Sequence, residues 1–383
     1  MGELYPIAGG DPWAVRDALP AALDGRHPLA LGFDPEPDDV APDGTAVVIA
    51  TSGSSGVPKK VVLSGDALRA SAVATAERIG QGQWMLSLSA EYVAGVQVLV
   101  RSLLAGADPV LMEGRFTPAT FVAATEAMHH GPRYTSLVPA QLATLSDAAH
   151  EHREVRRALA SYEAILIGGQ ALPAPLYERS RAAGGRVVRT YGSSETAGGC
   201  VYDGVPLDGV RVSSVDGELR ISGPTLASGY LGDDRLTGRV FATDEAGARW
   251  YRTGDTGEVA ADGRVRVHGR IDNVIVSGGV NVSLDRVERA VRGIPGLEQA
   301  VVLGRPDDRW GEASMILVEA DPAAVQRLLD EARARVAAEI GKHARPAQLS
   351  ALPRMPVLPS GKPDRVALRR MIDGLPAPIR PAP

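Results

Sequence analysis

Thr51-Ser52-Gly53-Ser54-Ser55-Gly56-Val57-Pro58-Lys59-Lys60 lies between an apolar run, residues 46–50, and an amphipathic stretch, residues 64–79. The run reads as a strand, and the stretch reads as a helix with Ser64 at its N-cap and Gly80 just past its end. Between them, Gly53 and Gly56 permit positive φ and let backbone N–H groups turn inward on an anion. Four hydroxyls and two lysines supply further donors for phosphate oxygens. A polar surface loop has similar composition, but the preceding strand and the lysines favour a phosphate site. The GxxxxGK[ST] spacing is absent, so this is not a Walker A loop.

The same texture continues outward to Thr190. Helical stretches at 93–105, 118–130 and 173–183 alternate with apolar runs at 109–112, 134–138, 164–167 and 186–190. That order predicts an α/β layer with a mainly parallel sheet. From Val201 the pattern becomes short alternating strands, at 210–212, 217–221 and 264–268, separated by Gly-Asp turns. A third texture starts near Asp272: strand-like 300–303 and 314–319 flank a long helix at 322–340, and a Pro-rich tail follows. The expected organisation is a large α/β domain with a β-rich section over 1–271, then a small mobile α+β domain over 272–383.

Composition sets the outer limits. A chain of 383 residues exceeds what one core usually organises, which also implies two domains. With 44% hydrophobic and 23% charged residues, wholesale disorder is excluded. The net charge of −5 leaves no basic footprint for nucleic acid, and 4% aromatics argue against a base-stacking surface. The single cysteine, Cys200, rules out a disulfide scaffold or a thiolate zinc cluster. The first residues carry no signal-peptide pattern, and the most apolar stretch, 93–100, is too short to span a bilayer. The expectation is a cytoplasmic protein without membrane insertion.

Four further segments carry chemistry. Tyr191-Gly192-Ser193-Ser194-Glu195-Thr196 follows a strand, where sheet-edge loops gather ligand groups. Glu195 there suits a magnesium ion bridging phosphates, and Tyr191 suits a base face; a plain turn with a carboxylate is the alternative. Tyr251-Arg252-Thr253-Gly254-Asp255 and Gly269-Arg270-Ile271-Asp272 fall in the Gly-Asp-rich region. Each alone reads as a β-turn, although a carboxylate such as Asp255 can accept from two ribose hydroxyls. Leu358-Pro359-Ser360-Gly361-Lys362-Pro363 puts one lysine at the tip of a tight loop. His129-His130 and His150/His152 fall in predicted helices without carboxylates at ligand spacing, so metal ligation by histidine is not expected. No GxSxG elbow occurs, which disfavours a serine hydrolase.

Taken in order, TSGSSGVPKK, YGSSET, YRTGD, GRID and PSGK resemble the successive signatures of the AMP-forming adenylating superfamily. That superfamily includes acyl- and aryl-CoA synthetases, luciferases and peptide-synthetase adenylation domains, and the resemblance covers about residues 46–370. It implies that Thr51, Ser52, Gly53, Ser54, Ser55, Gly56 and Lys59 hold the β- and γ-phosphates of ATP. Gly169, in Gly168-Gly169-Gln170, would lie along the adenine, with Tyr191 stacked on it and Gly192 beside it. Ser194 would stand near the α-phosphate where relatives usually have threonine. By the same resemblance, Glu195 would ligate Mg2+, Asp255 and Arg270 would meet the ribose, and Asp272 would be the hinge. Lys362 would reach the reacting α-phosphate, and Gly278 and Gly279 would border the channel for coenzyme A.

Two segments resemble a narrower group, the o-succinylbenzoate–CoA ligases of menaquinone biosynthesis. They are Tyr92-Val93-Ala94-Gly95 with Arg101 six residues on, and Thr135-Ser136-Leu137-Val138-Pro139-Ala140-Gln141-Leu142. The resemblance assigns Tyr92, Gly95, Arg101, Ser136 and Gln141 to a pocket for a small aromatic carboxylic acid. Relatives commonly carry histidine at or beside Tyr92, and a glutamate often found in a Gly-Gly-Glu-Asn segment is Val280 here. Most relatives also have a substantial subdomain before the phosphate loop, whereas compact actinobacterial ligases look similarly short. A homodimer is compatible with the resemblance. Two other readings stay open: an adenylating enzyme that loads a carrier protein, and a nucleotide sensor without turnover.

Overall fold

The computed structural model describes residues 2–51, 59–307, 310–358 and 361–373. Two compact units emerge. The first comprises residues 1–172, 177–253 and 259–266, and the second residues 173–176, 254–258 and 267–383.

Two sheets carry the first unit. In the larger, the strands run in the order Val205–Pro206, Gly198–Tyr202, Val187–Ser193, Tyr162–Ile167, Arg133–Leu137, Gln83–Leu86 and Val110–Leu111. The last five are mutually parallel, as the alternation of apolar runs and helices implies. Helices Gly65–Ile79 and Val93–Ala105 connect successive strands. The side chain of Ser64 accepts from the Ala67 N–H and starts the first helix; Gly106, left-handed at φ 63°, ends the second. In the smaller sheet, Thr45–Thr51 and Lys59–Ser64 pair antiparallel.

Several expected boundaries move. The helix predicted over 118–130 stops at Glu126, and past it the His130 N–H donates to Gln83 Oε1 at 3.1 Å. His129 and His130 are therefore not helical. The strand predicted over 186–190 continues to Ser193, since Gly198–Tyr202 extends the ladder past Thr190. Tyr251–Asp255, read as a turn, lies inside the eleven-residue strand Arg249–Val259, where Phe241–Thr243 pairs with its start. The helix expected over 322–340 begins as a 3-10 turn, Pro322–Ala324, and becomes α-helical over Val325–Glu339. Helix Pro12–Leu23 was not expected; Asp11 caps it by accepting from the Trp13 and Ala14 N–H groups.

In the second unit, Gly311–Glu319 is flanked by Val301–Asp307, Val274–Ser277 and, in parallel, Gln348–Leu352. Strand periodicity divides its interior into two cores. Val302, Ile316 and Val318 face helices Leu284–Val291 and Val325–Glu339, packing on Val287, Leu328 and Val336. Val301, Leu303, Met315 and Leu317 face the other way, onto Leu368 and Ile372 of Arg365–Asp373. A strand buried on both faces reads as an unbroken apolar run, which is how Ser314–Glu319 looks in the sequence.

Candidate active site

The carboxyl ends of the parallel strands in the first unit carry most of the expected nucleotide residues. Thr51 ends its strand, and its Oγ1 donates to the carbonyl of Lys59, which starts the antiparallel neighbour, at 3.3 Å. Ser52, Gly53, Ser54, Ser55 and Gly56 lie outside the described residues. Lys59 Nζ sits 5.7 Å over the Tyr230 ring, whereas Lys60, on the opposite face of the strand, ion-pairs with Asp39. Only the first of the two lysines is thus available to a phosphate.

After strand Tyr162–Ile167 comes Gly168, where a Cβ would stand 2.5 Å from Thr190 Oγ1; Gly169 follows with φ +80°. Tyr191, Gly192 and Ser193 belong to the neighbouring strand rather than to a loop. A Cβ at Gly192 would stand 2.2 Å from the Gly198 carbonyl, so the close strand pairing itself demands glycine. Ser194-Glu195-Thr196 forms a 3-10 turn, closed by the Thr196 hydroxyl accepting from the Ser193 N–H and ended by left-handed Ala197.

Glu195 is buried, and its Oε1 accepts a 2.9 Å hydrogen bond from the hydroxyl of Tyr230. No group of three or more His, Cys, Asp or Glu side chains clusters among the described residues. A lone carboxylate suits Mg2+, which keeps several waters and takes its other oxygens from substrate phosphates. Tyr230 was not singled out in the sequence, and nothing local to it marks the partnership.

The residues expected to line the acid pocket lie on helix Val93–Ala105, at its start, and on or just after strand Arg133–Leu137. Tyr92 is the N-cap residue of that helix, and burial, then the charge of Glu91, pushes the phenol pKa up. Gly95 touches backbone: a Cβ there would stand 2.2 Å from the Ser89 carbonyl. Ser136 is buried in its strand, and its carbonyl accepts from the Ser87 hydroxyl. Gln141 has a framework task, since its Oε1 accepts the Val138 N–H at 3.0 Å and its Nε2 donates to the Ser87 carbonyl at 3.1 Å.

Arg101 does not reach out to solvent along its stem. It is only 7% exposed, its guanidinium lies 5.0 Å over the Trp84 ring, and Nη2 is 3.4 Å from the Tyr202 hydroxyl. Nε finds no acceptor among the described residues. Burial lowers its pKa, with the Tyr202 contact acting the other way. One turn earlier on the same helix, Gln97 is buried with its Oε1 also unsatisfied. Gln97 Oε1 and Arg101 Nε are thus two buried polar atoms on one helix with no hydrogen-bond partner among the described residues.

Within the second unit, Arg270 gathers two carboxylates. Its Nη1 lies 3.3 Å from Asp255 Oδ1, and its Nε lies 3.1 Å from Asp272 Oδ1. Gly254, at φ +68°, lets the guanidinium lie close on the backbone, for a Cβ would stand 2.9 Å from Arg270 Nη2. Gly278 and Gly279, at φ +60° and +81°, form the tip of the hairpin between Val274–Ser277 and Val280–Ser283. Lys362 is exposed on a loop held by Leu358 N–H to Lys362 O and Gly361 N–H to Leu358 O, both 2.8 Å.

The chain matches the AMP-binding enzyme family over residues 5–231 and the AMP-binding enzyme C-terminal domain over residues 286–362. It therefore belongs to the AMP-binding enzyme family, and with it to the adenylate-forming acid–thiol ligases. Among its relatives is a probable 2-succinylbenzoate–CoA ligase of Mycobacterium tuberculosis, 38% identical, with 98% of this chain and 99% of that protein aligned. The 2-succinylbenzoate–CoA ligase of Escherichia coli is 32% identical over 72% of this chain and 58% of its own length. In structure, the chain is similar to the o-succinylbenzoate coenzyme A synthetase MenE of Bacillus subtilis in complex with AMP. There the TM-score is 0.71 at 25% identity, over 87% of this chain and 69% of that one.

Proposed function

We propose that this enzyme converts o-succinylbenzoate to o-succinylbenzoyl-CoA, at the expense of ATP and coenzyme A, in menaquinone biosynthesis within the cytoplasm. The observation that carries the choice of acid is Arg101. A guanidinium buried against an indole face and a phenol keeps an uncompensated charge, and burying such a charge is costly unless a ligand pairs with it. The acid has two carboxylates; one must react and the other needs a cation. The M. tuberculosis and E. coli relatives named above support the same reading. No helix among the described residues is long and apolar enough to cross a membrane.

The chemistry follows from the residue types. A carboxylate is ionised at neutral pH, so its attack on the α-phosphorus needs no general base. The obstacle is an anion approaching a polyanion. Lys362 and the donors of residues 51–59 would neutralise charge on the transferring phosphorus and the leaving pyrophosphate. Glu195, with Ser194 beside it, would hold Mg2+, which supplies charge neutralisation at the phosphates when bound. Asp255 and Arg270 would fix the ribose, and Gly169, Tyr191 and Gly192 the adenine.

The product of this step is an acyl-adenylate, whose carbonyl the coenzyme A thiol then attacks with AMP leaving. Lys362 is needed for the first step and in the way for the second, so the segment after Asp272, residues 272–383, would adopt two arrangements. The second brings Gly278 and Gly279 to the pantetheine, where a missing Cβ permits close approach.

Acid-dependent pyrophosphate release over a panel of aromatic and aliphatic acids, with and without coenzyme A, tests the proposal. A contact between guanidinium and carboxylate in a partly dry pocket is worth roughly 2–4 kcal/mol, or about 30- to 1,000-fold. Arg101→Gln should lower kcat/KM for o-succinylbenzoate by that order and leave the ATP KM nearly unchanged. Wild-type kcat/KM in Arg101→Gln, or equal use of monocarboxylic benzoates by the native enzyme, would overturn it.

A further inference from the structure

Arg101 is held by a directed hydrogen-bond relay that reaches across the fold. The Thr75 hydroxyl lies 2.8 Å from the Ser71 carbonyl, which can only accept, so the Thr75 proton is committed there. The Tyr202 hydroxyl, 3.0 Å from Thr75 Oγ1, must then be the donor in that pair. Its remaining lone pairs face Arg101 Nη2, which donates at 3.4 Å. The direction is therefore fixed from one end to the other: Arg101 to Tyr202 to Thr75 to Ser71. Tyr202 and Thr75 are both buried, at 2% and 0% exposure. On its other side the guanidinium meets the Trp84 ring, itself fixed by stacking on Tyr134 at 5.1 Å between centroids.

Each of these partners is neutral. A carboxylate in place of Tyr202 would orient the guanidinium equally well and would also cancel its charge. A phenol that can only accept from Arg101 orients the group and leaves the charge for a ligand.

We infer that Tyr202, backed by Thr75, is a specificity-positioning residue, which fixes Arg101 toward the second carboxylate of the acid while leaving its charge intact. This rests on the reading of Arg101 given under the proposed function. Neither residue lies in a motif of the family resemblance.

The experiment measures kcat/KM for o-succinylbenzoate and for 4-oxo-4-phenylbutanoate, which lacks the ring carboxylate, by pyrophosphate release. The ratio of the two reports recognition of the second carboxylate alone, because a structural defect lowers both values together. Tyr202→Phe should reduce that ratio about 3- to 10-fold, the effect of one hydrogen bond, chiefly through the KM of the dicarboxylic acid. Thr75→Val should reduce it less, and Thr75→Ser should restore it. In an Arg101→Gln background, Tyr202→Phe should have no further effect on the ratio.

An unchanged ratio in Tyr202→Phe, where Arg101→Gln still collapses it, would overturn the relay and leave the acid assignment standing. An equal effect of Tyr202→Phe with and without Arg101 would overturn it too. If Arg101→Gln itself left the ratio unchanged, both the acid assignment and the relay would fall. Should Tyr202→Phe not fold, the Thr75 pair carries the same comparison, and equal ratios in Thr75→Val and the native enzyme would overturn the relay.

Discussion

The hydroxyl of Tyr230 donates to Oε1 of Glu195 at 2.9 Å, joining a two-residue strand to a 3-10 turn 35 positions earlier. A second tie runs between the same segments, for the Ala227 N–H donates to the Glu195 carbonyl at 2.8 Å. The carboxylate is thereby aimed, as the proposed Mg2+ role requires. Tyr230→Phe should weaken the apparent Mg2+ affinity of adenylate formation about tenfold, the usual consequence of losing a partner behind a metal ligand. Titrating pyrophosphate release against Mg2+ checks this; a shift in the acid KM alone, with the Mg2+ dependence unmoved, would refute it.

Lys362 leads to a prediction about half-reactions. Lys362→Ala should cut adenylate formation by about 10²- to 10³-fold, as expected for a lost charge on the transferring group. Thioester formation from supplied acyl-adenylate should be largely spared. Both steps are measured separately, as pyrophosphate release and as coenzyme A consumption. Equal loss in the two would make the residue structural.

At Asp272, the test separates backbone from side chain. Asp272→Pro fixes φ near −65° and restricts the residue before it. One arrangement should be trapped, so pyrophosphate release persists while thioester formation falls by about tenfold or more. Asp272→Ala removes the 3.1 Å contact to Arg270 but leaves the backbone free. It should therefore impair thioester formation less than Asp272→Pro does. Unchanged overall turnover in Asp272→Pro would exclude rotation about this residue.

Gly95 offers a test of sign. In an exposed helix, glycine to alanine stabilises by about 1 kcal/mol. Here the new Cβ would lie 2.2 Å from the Ser89 carbonyl, and that oxygen belongs to backbone that cannot swing aside. Gly95→Ala should therefore destabilise by about 1–3 kcal/mol and lower Tm by a few degrees. A Tm at or above the native value would show that the helix shifts without cost.

The elements of this protein were largely readable because they rest on local chemistry. Ser64 caps a helix and Gly106 ends one for reasons contained in a few neighbouring residues. The apolar runs at 134–138 and 164–167 are strands because both faces of a parallel sheet are buried, which is a property of composition and length. The order of the glycine-rich and Gly-Asp segments along the chain carried the family in the same way.

What tertiary structure alone decided is which side chains meet. Tyr191 reads as a loop residue until its strand acquires Gly198–Tyr202 as an antiparallel partner. Lys59 and Lys60 are equivalent as text, and only Asp39 on one face of the strand separates them. Arg101 reads as a cation for the acid, but what holds it is Tyr202, 101 positions away, which only the fold brings to it. The physical reason is common to all three. Secondary structure is set by bonds between near neighbours, whereas the charge, orientation and burial of a site residue are set by groups that only packing brings within 4 Å.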